Sequence, residues 1–151
     1  MSERKKYIHW GSASFRYSDC MKIKNQRGCL TKPRGGLWAS PVDAEYGWYD
    51  WCSDENFRSY DEDNCFKFTL RKDARVLMID GKDVLTDLPK YKDPDFSHNV
   101  WVSLDFEELV RQGYDAVEVS ISDDPRLYML LYGWDCDSIL VMNPDVVEVC
   151  R

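Results

Sequence analysis

The chain has 151 residues, 44% of them hydrophobic and 14% aromatic, which supplies one core but too little length for two well-buried ones, so a single domain over residues 1–151 is expected. Its net charge of -7 conceals an asymmetry: residues 1–36 hold nine Lys and Arg against two acids, and residues 37–65 hold one against eight. The acidic remainder argues against indiscriminate binding to duplex DNA, and no run approaches the roughly 18 apolar residues that span a bilayer, which argues against a membrane protein.

Ser2-Glu3-Arg4-Lys5-Lys6 leads into Tyr7-Ile8-His9-Trp10, which reads as a short first strand ending at Gly11 and not as the apolar core of a signal peptide; a cytoplasmic protein is expected. The basic segment that follows, with Lys22, Lys24, Arg27, Lys32 and Arg34, is a helical or irregular connection. Its charge would attract phosphate, or it is simply a solvated face. Gly36 to Ser40 forms a second short strand or the turn out of one, and Pro41 with Val42-Asp43-Ala44-Glu45 opens a short helix. Residues 53–64, rich in acids, are an exposed loop.

Phe66, Phe68 and Leu70 alternate with Lys67, Thr69 and Arg71 as in a half-buried strand, and residues 74–79 continue as another before an Asp80-Gly81 turn. The clearest helix is Leu104 to Gln112, capped by Ser103 or Asp105, with Phe106, Leu109 and Val110 on its buried face and Gly113 as its stop. Strands follow at 116–121, 127–132, 138–142 and 146–149, with a turn at Asp123-Asp124-Pro125. Such a sequence of elements predicts an α+β fold of mostly antiparallel, split β-sheets with few short helices.

Chemistry concentrates in Lys32-Pro33-Arg34-Gly35-Gly36-Leu37-Trp38-Ala39-Ser40 and in the aromatic run Tyr46-Gly47-Trp48-Tyr49-Asp50-Trp51. Adjacent glycines before a large aromatic let a backbone approach a flat ligand while a ring closes over it. Six cysteines without a CxxC pair, and histidines only at His9 and loop residue His98, supply neither a zinc site nor a hydrolase triad; reduced thiols and no metal are expected.

Residues 7–12, 35–51 and 113–149 together resemble the diphtheria-toxin-like ADP-ribosyltransferase family, which includes the poly(ADP-ribose) polymerases. There a His-Gly-Ser/Thr element on the first strand holds NAD, and His9, Gly11 and Ser12 match it, with Trp10 between His9 and Gly11 at a position a bulge would accommodate. The family's Gly-Ile-Tyr-Phe-Ala element is matched by Gly36-Leu37-Trp38-Ala39, and its second stacking tyrosine, eleven residues on, by Tyr49. The resemblance implies that Trp38 and Tyr49 sandwich nicotinamide. Its closing strand matches Ile139 to Val147, and the glutamate that starts that strand in the family is replaced by Ser138, with Asp137 just before it and Asp135 two further back. Asp137 is the implied catalytic carboxylate and Glu118, on the neighbouring strand, its rival.

The function implied is an NAD-dependent mono-ADP-ribosyltransferase acting on a macromolecular acceptor, protein or single-stranded nucleic acid, as toxins and phage or host effectors of this kind do. The alternative is a non-enzymatic protein whose acidic and aromatic surface inhibits a partner.

Overall fold

A computed structural model describes residues 4–26, 32–55, 62–91, 102–131 and 133–150. His98, Arg27, Cys29 and the middle of the acidic segment lie outside these residues. The described chain is α+β: seven strands in one mixed sheet, with three short helices and several single-turn 3-10 segments. The strands are β1 (Lys6–Trp10), β2 (Leu37–Pro41), β3 (Cys65–Leu70), β4 (Val76–Ile79), β5 (Ala116–Val119), β6 (Ser138–Val141) and β7 (Val147–Val149). They lie in the order β4-β5-β6-β2-β1-β3-β7, and every neighbouring pair is antiparallel except β4 with β5.

Period-two alternation sorts the apolar residues onto two faces. On β6, Leu140 joins a core with Val117, Val119, Leu109, Leu127 and Trp134, while Ile139 and Val141 join one with Tyr7, Leu37, Phe66 and Phe68. Because β6 is covered on both sides, its sequence Ser-Ile-Leu-Val shows no polar alternation. Each fully buried side chain of this size contributes about 1.5–3 kcal/mol. β6 therefore fixes the middle of the sheet.

The helices are α1 (Trp48–Asp54), α2 (Phe106–Arg111) and α3 (Arg126–Leu130). α2 falls where its pattern placed it: Asp105 caps it by accepting from the Glu108 N–H at 3.0 Å, and Gly113 follows at φ +92°. Its Val110, expected on the buried face, is 43% exposed, because Phe106 and Leu109 already fill the contact.

The split sheets expected from the sequence are instead one continuous sheet, because β2 pairs with both β1 and β6, and two elements also differ from expectation. Residues 127–132 are read as a strand, yet residues 126–130 form α3: Leu127 and Leu131, four apart, are both fully buried, whereas Met129, which a strand would place beside them, is 57% exposed. A helix is also expected from Pro41. Pro41 instead ends β2 opposite Tyr7, a turn follows, and the helix starts seven residues later at Trp48. There the Ser40 hydroxyl accepts from Trp48 N–H at 2.9 Å and the Asp50 carboxylate from Gly47 N–H at 3.0 Å. These side chains satisfy donors at the start of α1, whereas after Pro41 the Val42 N–H is taken by Lys6 O of β1 at 3.0 Å.

Trp10 needs no bulge. β1 pairs with β3 without interruption from Lys6–Thr69 to Trp10–Cys65, and Gly11 sits just beyond the strand at φ +112°, donating to Asn64 O at 2.7 Å.

Candidate functional site

β1 and β2 pair only at Tyr7–Pro41 and Ile8–Ser40. Beyond Ile8 the main-chain pairing stops and a side chain replaces it: Nδ1 of His9 lies 2.6 Å from the carbonyl oxygen of Trp38. A carbonyl only accepts, so Nδ1 carries the proton and, in the neutral ring, Nε2 is left as an acceptor. Phe66 packs against the imidazole with ring centroids 5.2 Å apart.

A cavity of about 260 Å³ opens beside this bridge, lined by Ile8, His9, Trp10, Lys32, Trp38, Ala39, Trp48, Gly133, Asp135, Cys136 and Ser138. A second hollow of about 270 Å³ is lined by His9, Ser12, Ser14, Phe15, Gly36, Leu37, Trp38 and Phe66. His9 and Trp38 border both.

Trp38 is backed by the fully buried Trp134, edge-on at 4.7 Å, which in turn stacks on Phe106. Trp48 is brought to the cavity by the Ser40 bond at the start of α1, and Gly47 permits the approach, since a Cβ there would meet Ser40 Cβ at 3.2 Å. Between the two indoles lies Lys32, its Nζ 5.1 Å from the Trp38 ring centroid and 5.8 Å from that of Trp48. Burial lowers the pKa of this ammonium, and the Asp135 charge partly opposes that shift.

Comparison with protein-family models, with curated proteins and with solved structures finds no match. The site is therefore read from its own chemistry.

Of the residues singled out in the sequence, His9, Trp38, Gly36 and Ser12 border the two hollows. Gly11 and Tyr49 border neither. Tyr49 is 46% exposed and packs against Trp10 with centroids 4.9 Å apart, so its neighbour Trp48 faces the cavity in its stead. Helical geometry explains the substitution, because successive residues of α1 point about 100° apart.

Neither implied carboxylate lines the cavity. Asp137 is 5% exposed, with one oxygen 2.9 Å from Ser122 N and the other 2.6 Å from Ser122 Oγ, while its own N–H donates to Tyr46 O. Glu118 is buried against the Lys5 ammonium and the Tyr7 hydroxyl, the latter at 2.5 Å. Burial and this carboxylate drive the Tyr7 pKa up. The acid that does reach the cavity is Asp135.

Beside it, burial pushes the Cys136 thiol up to about 12, so it is protonated and unreactive at neutral pH. Ser138 donates to Cys136 O at 2.7 Å, fixing the turn that starts β6. Cys20 and Cys150 are also reduced thiols, and among the described residues no group of three His, Cys, Asp or Glu could hold a metal ion. No helix among the described residues is long and apolar enough to cross a membrane.

The Gly35-Gly36 pair has a structural reason. Gly35, at φ +89°, lies so near the Met21–Lys22 backbone that a Cβ would come within 2.4 Å of Lys22 O. Gly36, at φ +76°, donates to Met21 O at 2.9 Å. In the sequence Lys32 opens the glycine-tryptophan stretch, Trp48 belongs to the aromatic run and Asp135 lies just ahead of Asp137, and none of the three is assigned a role of its own in binding or catalysis. What could have promoted Trp48 is Ser40, a polar residue on a buried strand that must satisfy a helix start.

Proposed function

We propose that the chain is an NAD-dependent mono-ADP-ribosyltransferase with a fold of the diphtheria-toxin-like type, acting in the cytoplasm on a protein or single-stranded nucleic acid as a toxin or a phage or host effector. One observation carries the reading: the three sequence elements that suggested it fall on β1, β2 and β6, and residues of each, or of the turn leading into it, line one cavity. The second hollow, which His9 and Trp38 also border, adds room for an elongated dinucleotide.

In this reading Trp38 and Trp48 offer π-faces to the flat, cationic nicotinamide ring. Cleavage of the bond between the ring nitrogen and ribose C1′ sends its electron pair to nicotinamide, which leaves neutral, and positive charge develops on the ribose. Asp135 supplies fixed negative charge beside it. An acceptor nucleophile then bonds to C1′ and releases its proton.

Incubation of the purified chain with NAD, with nicotinamide followed by chromatography and binding by calorimetry, tests the proposal. Release that disappears in Trp38→Ala and Asp135→Asn variants with unchanged melting supports it. A folded chain that neither binds NAD nor releases nicotinamide overturns it.

The exposed face of α1 favours a second reading. Tyr49, Asp50, Asp54 and Glu55 form an acidic, aromatic surface beside the stacked Trp48 and Trp51 rings, suited to blocking a partner without catalysis. If the effect of expressing the chain in cells is lost on reversing the charges of Asp50 and Asp54, and survives Asp135→Asn, that reading replaces the first.

A further inference from the structure

Among the described residues, Lys32 is the one Lys or Arg that lines the cavity between Trp38 and Trp48, and it forms no ion pair there. Its Nζ is held over two indole faces, in a cavity whose walls combine Ile8, Ala39 and aromatic rings with His9, Asp135, Cys136 and Ser138. An ammonium in such a place has given up part of its hydration without gaining a bound counterion. Cation–π attraction replaces only some of that loss, roughly 0.5–2 kcal/mol, and an anion reaching it through a low-dielectric mouth would be attracted far more strongly than at an open surface. Asp135 shares the cavity and repels an anion from its own side. The site thus holds one cation over the indoles and one carboxylate, three residues ahead of β6, whose charge acts on it.

We propose that Lys32 binds a phosphate group of the ligand, so that the cavity takes a nucleoside with a flat cationic base in its phosphorylated form and discriminates against the same nucleoside without the phosphate. The inference rests on the transferase reading for the identity of the base and extends it with a specificity-determining residue. A lysine suits the task as a compact charge on a flexible stem that can leave the indole faces and follow a phosphate.

Nicotinamide riboside, nicotinamide mononucleotide and NAD are titrated by calorimetry into the full chain and into its Lys32→Met and Lys32→Arg variants, each checked by thermal melting. The chain is expected to bind the mononucleotide at least about tenfold more tightly than the riboside, the span of one charge-assisted hydrogen bond. Lys32→Met should bring the two within a factor of about two by weakening only the mononucleotide, and Lys32→Arg should keep most of the preference. An unchanged preference in Lys32→Met, equal weakening of both ligands, or no preference in the parent chain overturns the inference. Discrimination without any nicotinamide release would sink the transferase reading and leave the phosphate site standing, whereas failure to bind all three ligands sinks both.

Discussion

The imidazole of His9 on β1 is hydrogen-bonded at 2.6 Å to the main-chain carbonyl of Trp38 on β2, at the place where the two strands cease to pair. One side chain thereby ties the two strands at a point that borders both hollows. Replacing it by phenylalanine keeps the ring packing on Phe66 and removes the bond, leaving the Trp38 carbonyl short of a partner. A loss of about 1–3 kcal/mol is expected in urea denaturation, with NAD binding weakened in the same variant.

Asp135 and Asp137 are two residues apart and predicted to answer mutation in opposite ways. Asp137→Ala strips the Ser122 N–H and hydroxyl of their acceptor and should cost about 1–3 kcal/mol of stability. Asp135→Asn should leave the melting temperature nearly unchanged and lower nicotinamide release by about 10²-fold or more. Melting and release measured on both proteins separate the roles. Equal loss of release in a stable Asp137→Asn protein would return the catalytic role to Asp137.

Gly36→Ala tests the close approach of the start of β2 to β6. The new Cβ would lie 2.4 Å from Leu140 Cδ1 and 3.0 Å from Val141 O, on a backbone at φ +76°. Strain and overpacking add, and destabilisation of about 2–4 kcal/mol is expected from chemical denaturation.

Acid should act through Asp124. The Arg126 guanidinium, at 2.8 and 2.9 Å, and the Lys82 N–H, at 2.9 Å, hold its carboxyl well below the usual carboxylate range. The folded form thus keeps the charge to lower pH than the unfolded chain does. Its stabilisation is fully present above about pH 4 and is lost as pH falls further. Melting curves of the parent and Asp124→Asn should differ at pH 6 and converge toward pH 2.

Alkali should act on the ligand through Lys32. Because burial lowers its pKa, the ammonium is lost below the usual lysine range, and a bound phosphate would hold the proton on. Binding of nicotinamide mononucleotide should therefore weaken with rising pH before an exposed lysine would lose its proton, and in Lys32→Met this slope should vanish.

Much of the fold was legible: Phe66, Phe68 and Leu70 alternate as on a strand with one covered face, and β1, β2 and the doubly covered β6 lie within a residue or two of where the pattern sets them. The run at 127–131 was not, since five mostly apolar residues suit either period and only the burial of Leu127 with Leu131 decides for a helix. For the site, His9 and Trp38 were legible from motif order alone. Which of Trp48 and Tyr49, or of Asp135 and Asp137, turns inward depends on a helix start and a turn into β6, and both are set by hydrogen bonds from residues distant in sequence.

Gly35 and Gly36 weld the start of β2 to the Met21–Lys24 backbone, a junction reinforced by the reciprocal Lys24–Arg34 hydrogen bonds. The cavity wall can change ring by ring as its ligand changes, but this seam admits no added atom. Among divergent descendants of the chain, the paired glycines should outlast the tryptophans, and a protein that has lost all affinity for a flat ligand should carry them still.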